Sequence, residues 1–299
     1  MQALYTIEQM GSEIKPNEPA AILKKGIEQS RQLFVHLVHF LTEVARYAET
    51  DAHNKASKHL PTAEDLGTNT KIAGNLLLWK ILEHPTYLAA VGELKPELTA
   101  NTELIKKTYN TLKQSEEYKE YIETPAREPK QERLMMEFIF NTLMLPNEDF
   151  IGHLEETFIH WDDDAEMMEL LVQNFLQKPG SFNLNEMMTA DKRDYANKLL
   201  QTALEKKEYC LELIKPKLKN WDADRIAALD MILMRMGVCE FLYFETIPTR
   251  VTINEYIDLA KAYSTPQSGH FVNGILDNIL KDLTAENKIH KKTFKNSTL

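Results

Sequence analysis

The chain has 299 residues, 43% of them apolar, so it is long enough for a large core or two domains and is not expected to be disordered. It holds 45 Asp and Glu against 35 Lys and Arg, and this net charge of −10 is unusual for a nucleic-acid-binding protein. The N-terminus lacks a basic segment followed by an apolar one, and no stretch approaches the length of a membrane span, so we expect a cytoplasmic protein. Only 10 glycines, and few alternating β-branched residues, favour long helices over a sheet-based enzyme.

Prolines and apolar spacing predict the first helices. Residues 22–48 carry apolar side chains at helical spacing, bounded by Pro19 before and Pro61 after, which predicts one long helix. A second helix is predicted from Thr68 to Glu83, where Pro85 ends it. Its apolar face is expected to consist of Ile72, Leu76 and Trp79.

The middle of the chain contains a charged stretch with two prolines. Residues 119–133 hold Pro125 and Pro129 among many charged and polar residues, which predicts an exposed connection and a hinge. Helices are then predicted for Leu134–Leu145 and Asp162–Gln177. The buried stripe of the latter is predicted to be Met168, Leu171, Val172 and Phe175.

A further helix is predicted from Asp191, followed by an unusually apolar one. Residues Asp224–Phe244 are apolar on nearly every side, as expected for a central helix surrounded by others. Cys210 and Cys239 lack metal-type spacing and lie among apolar neighbours. We therefore expect plain buried thiols.

Two helices are predicted after Pro248. Thr252 and Glu255 fit the capping-box pattern, so the first helix is expected to begin near Thr252, and its apolar stripe stops at Tyr263. Ser264 or Thr265 is expected to cap the second helix.

The second of these helices has an unusual opening. Pro266 is predicted to occupy its first position, where a missing amide hydrogen costs nothing. Gly274 within the helix costs about 1 kcal/mol relative to alanine, so we expect it to admit a close neighbour. The opening turn is predicted to contain Gln267, Ser268, His270 and Phe271, beside unpaired amides and the positive end of the helix dipole.

Short blocks in the last third of the chain carry a resemblance. The blocks are Asp224–Arg225, Arg235, Glu240, Ile247–Pro248, Val251–Glu255, Ala260–Lys261, Ser268 and Phe271–Asp277. In this order and spacing they resemble the transcription antitermination factor NusB family, over roughly residues 190–283. Met1–Tyr5 is similar to the second half of the first helix in that family.

The resemblance implies an all-α fold, with a NusB-like helical bundle and an additional acidic helical region, as in the extended form of the family. We expect four segments. They are a remnant of the first NusB-like helix (1–12), the additional helical region (13–188), the NusB-like domain (189–285) and a weakly basic tail (286–299).

The resemblance also implies a function. It predicts a non-catalytic transcription antitermination or termination factor that binds boxA-like single-stranded RNA together with the NusE-type small-subunit ribosomal protein. The RNA polymerase elongation complex would be an indirect partner. The implied RNA contacts are Gln267, Ser268, His270 and Phe271, and the implied NusE contacts are Tyr5 and Asp230.

Each of these residues also has a structural interpretation. Phe271 can stack on an unpaired base or pack in the core, and Gln267 and Ser268 can bind RNA or simply cap a helix. Tyr5 can lie at the edge of the core, and Asp230 can be a solvated acid. Arg235, within an apolar helix, is expected to make a buried structural pair rather than an RNA contact.

The chain departs from the family pattern in two places. His270 stands where the family often has a basic residue, and histidine is mostly neutral at neutral pH. RNA contact in the family depends on an Arg-rich stretch just before the Gln2–Tyr5 run, and this chain begins inside that run. Either the natural start lies earlier, or this member has lost part of its RNA site. The second case leaves an alternative function, a protein-binding scaffold with the NusB fold and no RNA affinity.

Enzyme signatures are weak throughout the sequence. Asp162–Asp164 are typical of a helix N-terminus rather than a metal site. His36, His39 and Glu43 share a predicted helix face, but no histidine has Glu three residues before it, as a di-iron bundle needs. No phosphate-binding glycine loop occurs. We therefore expect no catalytic residue, no metal and no cofactor.

Overall fold

A computed structural model describes residues 1–11, 15–218 and 226–292. Within these ranges the protein is helical and contains no β-strand, which confirms the predicted all-α fold class. The α-helices are α1 Gln2–Met10, α2 Glu18–Ala56, α3 Ala63–Leu66, α4 Leu76–Leu82, α5 Pro85–Leu94, α6 Thr102–Gln114, α7 Glu116–Glu123, α8 Pro129–Phe138, α9 Glu148–Thr157, α10 Trp161–Gln177, α11 Ala190–Glu205, α12 Lys207–Ile214, α13 Ala228–Tyr243, α14 Thr249–Tyr263 and α15 Ser268–Ala285. Short 3-10 segments cover Lys71–Gly74, Pro96–Leu98, Pro179–Ser181 and Lys215–Lys217, and a π-helical segment covers Ile139–Met144.

The chain forms two compact units. The terminal unit contains Met1–Gly26 and Met188–Leu299, and the inserted unit contains Ile27–Met187. Ile22 and Leu23, at the start of α2, pack against the core of the terminal unit. The segment boundaries expected from the sequence stay a prediction.

Charge is distributed unevenly between the two units. The inserted unit holds 27 Asp and Glu against 15 Lys and Arg. The terminal unit holds 18 against 20. The acidity of the chain therefore belongs to the inserted unit, and the terminal unit is slightly basic.

The terminal unit is built around α13. Helices α1, α11, α12, α14 and α15 all contact it. Because it has neighbours on every side, α13 buries its whole circumference, including Ile232, Leu233, Met234, Val238 and Phe241. This confirms the prediction of a central helix, although its expected first residues, Asp224 and Arg225, lie outside the described residues.

Two helix predictions, those that correspond to α2 and α10, are confirmed. Helix α2 buries the expected apolar side chains and extends further in both directions, with Pro19 accommodated in its first turn, where no intrahelical amide bond is lost. Helix α10 begins one residue before Asp162. It buries Met168, Val172 and Phe175 as expected, with Leu176 fully buried and Leu171 only partly.

The prediction for Thr68–Glu83 is wrong. The segment is divided into the 3-10 turn Lys71–Gly74 and α4, with Asn75 between them. The Asn75 side chain accepts from the first amides of α4 and so starts a new helix with a different phase. Ile72 is buried as predicted, whereas Leu76 and Trp79 lie exposed. The buried residues of α4 are Leu77, Leu78 and Ile81. Pro85 does not end this helix but begins α5.

The predicted exposed connection at 119–133 is confirmed only for its middle, since residues 124–128 have no regular structure and residues 125–131 are exposed. Helices α7 and α8 cover the rest of it, and the π-helical segment then continues α8 through the predicted 134–145 helix. Glu132 is 1% exposed and accepts from Tyr121 Oη (2.9 Å) and from the Leu76 amide (2.7 Å). Arg127 donates to backbone carbonyls of the 3-10 turn before α4. Glu132 and Arg127 thus link these helices to the start of α4, and the buried Glu132 carboxylate is satisfied by several hydrogen-bond donors.

Candidate functional site

The turn between α14 and α15 contains the residues that the sequence singled out. The two helices contact each other within the terminal unit. Helix α14 ends at Tyr263, the Ser268 amide donates to Thr265 O (2.9 Å), and α15 begins at Ser268 with Gln267 as its N-cap. The expected start at Pro266 is therefore wrong, since Pro266 and Gln267 form the turn itself.

The start of α14 also differs from the prediction. The helix begins at Thr249, directly after Pro248, and no capping box forms at Thr252. Thr252 is fully buried, and its hydroxyl donates to Glu240 Oε2 (2.7 Å) on α13. A hydrogen bond to a buried carboxylate outweighs a cap at the surface.

Ser268 anchors the turn to the central helix. It is 2% exposed, and its hydroxyl donates to Asp230 Oδ2 at 2.7 Å. Ser268 Oγ also accepts from the Thr265 amide (3.2 Å) and lies 2.8 Å from Thr265 Oγ1. A buried serine with one acidic and two local partners holds the turn in a single shape.

Asp230 lies beneath the turn rather than on the surface. Its side chain is 5% exposed, so the solvated acid considered from the sequence is wrong. Oδ2 holds Ser268, and Oδ1 has no hydrogen-bond partner among the described residues. Contact between Asp230 and a protein partner stays a prediction, and the geometry gives this residue a clear role in fixing the turn.

Polar and aromatic groups surround this anchor. Gln267 and His270 are exposed, and Phe271 is half-buried at the edge of the core. The first turn of α15 holds no acidic residue of its own, and the carboxylate of Asp230 lies beneath it, hydrogen-bonded to Ser268. The turn therefore offers a hydrogen-bonding amide, an imidazole and part of an aromatic ring in one place. The predicted RNA contacts are adjacent, except that Ser268 faces inward.

Glycine positions differ from the expectation. A Cβ on Gly274 would meet nothing within 4 Å, so the predicted close neighbour is absent among the described residues. Gly237 and Gly269 are the crowded positions instead. A Cβ on Gly237 would lie 2.9 Å from Leu276 Cδ2, and one on Gly269 would lie 2.8 Å from Lys261 Cγ. These contacts bring α15 close to α13 and α14.

Helix α1 is fastened to the central helix by an ion pair. Arg235 is 1% exposed, and its Nη1 donates to Glu8 Oε1. This confirms the interpretation of Arg235 as a buried structural pair. Lys207 lies 3.4 Å from the same carboxylate oxygen. Tyr5, on the same helix, is 44% exposed, which leaves its ring available for the predicted protein contact.

Comparison with known proteins identifies the family. The sequence model of the NusB family matches residues 156–281. The transcription antitermination protein NusB of Salinibacter ruber is 44% identical over 99 residues, which is 33% of this chain and 62% of that protein. The protein of the same name from Listeria monocytogenes serotype 4a is 38% identical over 96 residues, covering 32% of this chain and 75% of that protein.

The chain belongs to the NusB family. A third NusB-family relative, the antitermination protein NusB of Methylacidiphilum infernorum, is 48% identical over 83 residues, or 28% of this chain and 58% of that protein. The matches to the Salinibacter and Methylacidiphilum proteins thus span about three fifths of each relative. No solved structure matches this one.

This NusB-family chain also contains a buried hydrogen-bond cluster around Glu240, which was not predicted from the sequence. The carboxylate, 4% exposed, accepts from the hydroxyls of Tyr195, Thr252 and Tyr256. Burial and the neighbouring carboxylate raise the pKa values of both tyrosines. The available signal was Glu240 itself, because an acid in an otherwise apolar helix requires buried donors.

The C-terminal segment also contacts this region. Lys291 Nζ donates to Glu240 O (2.7 Å) and Phe244 O (2.8 Å), the last carbonyls of α13. Burial lowers the pKa of Lys291. The part of the predicted tail up to Lys292 therefore packs against this NusB-family core, and Lys295 lies outside the described residues.

Other candidate chemistry is distributed elsewhere in the chain. Cys210 and Cys239 are buried, as expected, and their Sγ atoms lie 3.6 Å apart, a contact that sequence spacing does not indicate. Asp162–Asp164 lie in the first turn of α10. The described residues contain no group of His, Cys, Asp and Glu that suits a metal ion, and none of their helices meets the length and apolarity of a membrane span.

Proposed function

We propose that the chain is a transcription antitermination factor that binds boxA-like single-stranded RNA together with the NusE-type small-subunit ribosomal protein. The observation that carries the proposal is the anchored turn at Gln267–Phe271 in a chain of the NusB family. The RNA polymerase elongation complex is then an indirect partner. The role is non-catalytic, needs no cofactor and belongs in the cytoplasm.

The turn suits unpaired bases. Exposed Gln267 and His270 offer hydrogen-bonding groups, and the half-buried Phe271 offers part of its ring for stacking. Stacking on an aromatic side chain contributes about 1–3 kcal/mol per base and requires a base that is not already paired. Single-stranded RNA is therefore a better ligand for this surface than a duplex.

The distribution of charge supports the same assignment. RNA affinity depends on attraction to phosphates, and a net charge of −10 opposes it. The acidity, however, belongs to the inserted unit, whereas the terminal unit that carries the turn is slightly basic. We expect modest affinity for RNA alone, because the turn itself contributes a histidine rather than a lysine or arginine.

The second partner would compensate for that weakness. We assign the NusE-type protein to the face of α1 that carries the exposed Tyr5. Asp230 would support the neighbouring RNA surface through Ser268. A ribosomal protein bound beside the turn would add contacts to the same RNA, so the two ligands should bind with positive coupling.

The test is a fluorescence anisotropy titration of labelled boxA-like RNA, with and without the NusE-type protein, over a series of salt concentrations. We expect the partner to tighten RNA binding by about tenfold or more, and we expect a duplex of the same sequence to bind far more weakly. If the chain binds the partner but RNA affinity is unchanged, the chain is instead a protein-binding scaffold with the NusB fold.

A further inference from the structure

Two thiols meet in the core of the terminal unit. Cys210 lies on α12 and Cys239 on α13, and both are buried. Their Sγ atoms are 3.6 Å apart, so the two sulfurs touch. They are the two cysteines of the sequence, and an intramolecular disulfide in this chain can join no other pair. Nothing in the proposed antitermination role uses these thiols.

A buried cation lies on the same helix as one of the thiols. Arg235 precedes Cys239 by four residues on α13, so the two side chains leave the same face of the helix. The guanidinium is 1% exposed and pairs with Glu8 through Nη1, whereas Nε and Nη2 have no hydrogen-bond partner among the described residues. Its charge is therefore only partly compensated. A neighbouring arginine favours the thiolate form of cysteine, which is the form that reacts with oxidants.

The two thiols are not equivalent. The hydrogen bond from Cys239, and to a smaller extent the charge of Arg235, lower the pKa of Cys210 although burial opposes this change. The same hydrogen bond, together with burial, raises the pKa of Cys239. Cys210 is therefore the better nucleophile, and Cys239 remains a protonated thiol beside it. An attacking thiolate next to a resolving thiol is the usual arrangement of redox-sensing cysteines.

We propose that Cys210 and Cys239 are a redox-active pair that a small peroxide converts into an intramolecular disulfide. The Cys210 thiolate attacks one peroxide oxygen and the O–O bond breaks. The departing hydroxide takes up the proton that the thiol lost, so Cys210 becomes a sulfenic acid and one water is released. The Cys239 sulfur then attacks Cys210 Sγ, the S–O bond breaks, and the hydroxyl leaves with the Cys239 proton as a second water. The two thiols lose two electrons, which reduce the peroxide.

Helix α12 gives the peroxide a route to Cys210. Two of its eight residues, Cys210 and Ile214, are buried, and Lys206 at its N-cap makes no side-chain capping bond within the described part of the chain. Helix α13, in contrast, is buried around its whole circumference. A short helix with few buried side chains opens locally at a lower cost than the core of a bundle. Opening of α12 therefore exposes Cys210 first, and its return brings the sulfenic acid back to Cys239.

The disulfide would join α12 covalently to the central helix. The same helix carries Asp230, which anchors the Gln267–Phe271 turn through Ser268. In a reducing compartment such a bond is expected to be transient and redox-sensing rather than a permanent support. The pair would thus make the terminal unit responsive to peroxide.

The experiment treats the full chain with a limited excess of hydrogen peroxide at neutral pH and then alkylates the remaining thiols with N-ethylmaleimide in denaturant. Intact-mass spectrometry should show the loss of two hydrogen atoms, about 2 Da, with no maleimide added. Dithiothreitol should restore two alkylatable thiols. A non-reducing gel should show a monomer, and digestion should yield a peptide pair linked through Cys210 and Cys239.

Two matched variants separate the roles of the thiols. Cys239→Ser keeps the attacking thiol and removes the resolving one. Cys210 sulfenic acid should then accumulate, and dimedone should label it about fivefold more than in the parent chain. Cys210→Ser keeps only the thiol of the central helix and should be labelled about fivefold less than Cys239→Ser. Circular dichroism checks that both variants are folded, and the disulfide test on the parent chain needs neither of them.

Three results would overturn the proposed pair. They are the retention of both alkylatable thiols in the treated parent chain, oxidation to sulfinic or sulfonic acid without a disulfide, and disulfides that form only between chains. Stronger dimedone labelling of Cys210→Ser than of Cys239→Ser would overturn the assignment of Cys210 as the attacking thiol. Because no RNA or ribosomal protein is present, failure here leaves the antitermination proposal unaffected.

Discussion

Ser268 on α15 and Asp230 on α13 are joined by a buried hydrogen bond of 2.7 Å, which fixes the first turn of the last helix to the centre of the bundle. The contact joins residues 38 positions apart, so it ties the surface turn directly to the core. Any role for Gln267, His270 and Phe271 depends on this anchor.

Ser268→Ala should destabilise the protein. Among the described residues, Ser268 is the one hydrogen-bond donor to the Asp230 carboxylate, which is 5% exposed, and leaving such a group unsatisfied costs about 1–3 kcal/mol. Urea unfolding followed by circular dichroism measures the loss. Ser264→Ala is the matched control, because Ser264 is partly exposed and lies 3.1 Å from the same hydroxyl. Equal losses in the two variants would show that Asp230 does not depend on Ser268.

Glu8→Gln should loosen α1 from α13. Arg235 is buried, and its Nε and Nη2 have no partner among the described residues, so removing the Glu8 charge leaves a poorly compensated cation. We expect a loss of about 3 kcal/mol. Lys207→Gln removes only an exposed cation 3.4 Å from Glu8 and should cost less than about 1 kcal/mol. Thermal unfolding of the two variants measures both losses of stability. A larger loss for Lys207→Gln than for Glu8→Gln would contradict this prediction.

Two glycine substitutions should change the free energy of unfolding in opposite directions. Gly237→Ala places a methyl group 2.9 Å from Leu276, a fully buried side chain with little room to move, and should destabilise by about 1–3 kcal/mol. Gly274→Ala meets nothing within 4 Å and should stabilise α15 by about 0.5–1 kcal/mol. Midpoints of chemical unfolding give both values. Stabilisation by the Gly237 change would show that α13 and α15 are not closely packed there.

His36 should make stability fall in mild acid. Its pKa is lowered to about 3 in the folded chain, so the unfolded chain takes up a proton first as the pH falls below the ordinary histidine value. The contribution of His36 is complete above that value and declines by about 2 kcal/mol from about pH 7 to about pH 5.

The variant His36→Asn, which does not titrate, isolates this contribution. Unfolding free energies of both chains across the pH range should show a shallower decline for the variant. Parallel curves would mean that His36 is accessible to protons in the folded chain.

Sequence patterns correctly predicted the helices in which the buried residues are the ones that the spacing of apolar side chains indicates. Helix α13 is apolar on all sides because helices surround it, and α10 buries the stripe that its spacing indicates. The pattern failed where one polar side chain redirects the backbone. Asn75 starts α4 in a new phase, and Thr252 prefers the Glu240 carboxylate to a capping position.

The sequence predicted which residues belong to the candidate site, but not how their side chains are arranged in three dimensions. The sequence brought Gln267, Ser268, His270 and Phe271 into one opening turn through their proximity along the chain. It did not reveal that Ser268 faces inward, because its partner Asp230 lies on another helix. The position of Asp162–Asp164 at the start of a helix was likewise predicted. The contact of His36 Nδ1 with Thr99 Oγ1, 63 positions away along the chain, was not.

The central claim is that the turn at Gln267–Phe271 contacts RNA, and Phe271→Ala tests it most directly. In the complex with the NusE-type protein, we expect this variant to weaken boxA-like RNA binding about fivefold or more, because a stacking contact is lost. Val251→Ala, which trims an exposed apolar residue at the start of α14, should leave RNA affinity unchanged. Both variants are compared at temperatures where circular dichroism shows them folded. Unchanged RNA affinity of folded Phe271→Ala in that complex would contradict the account.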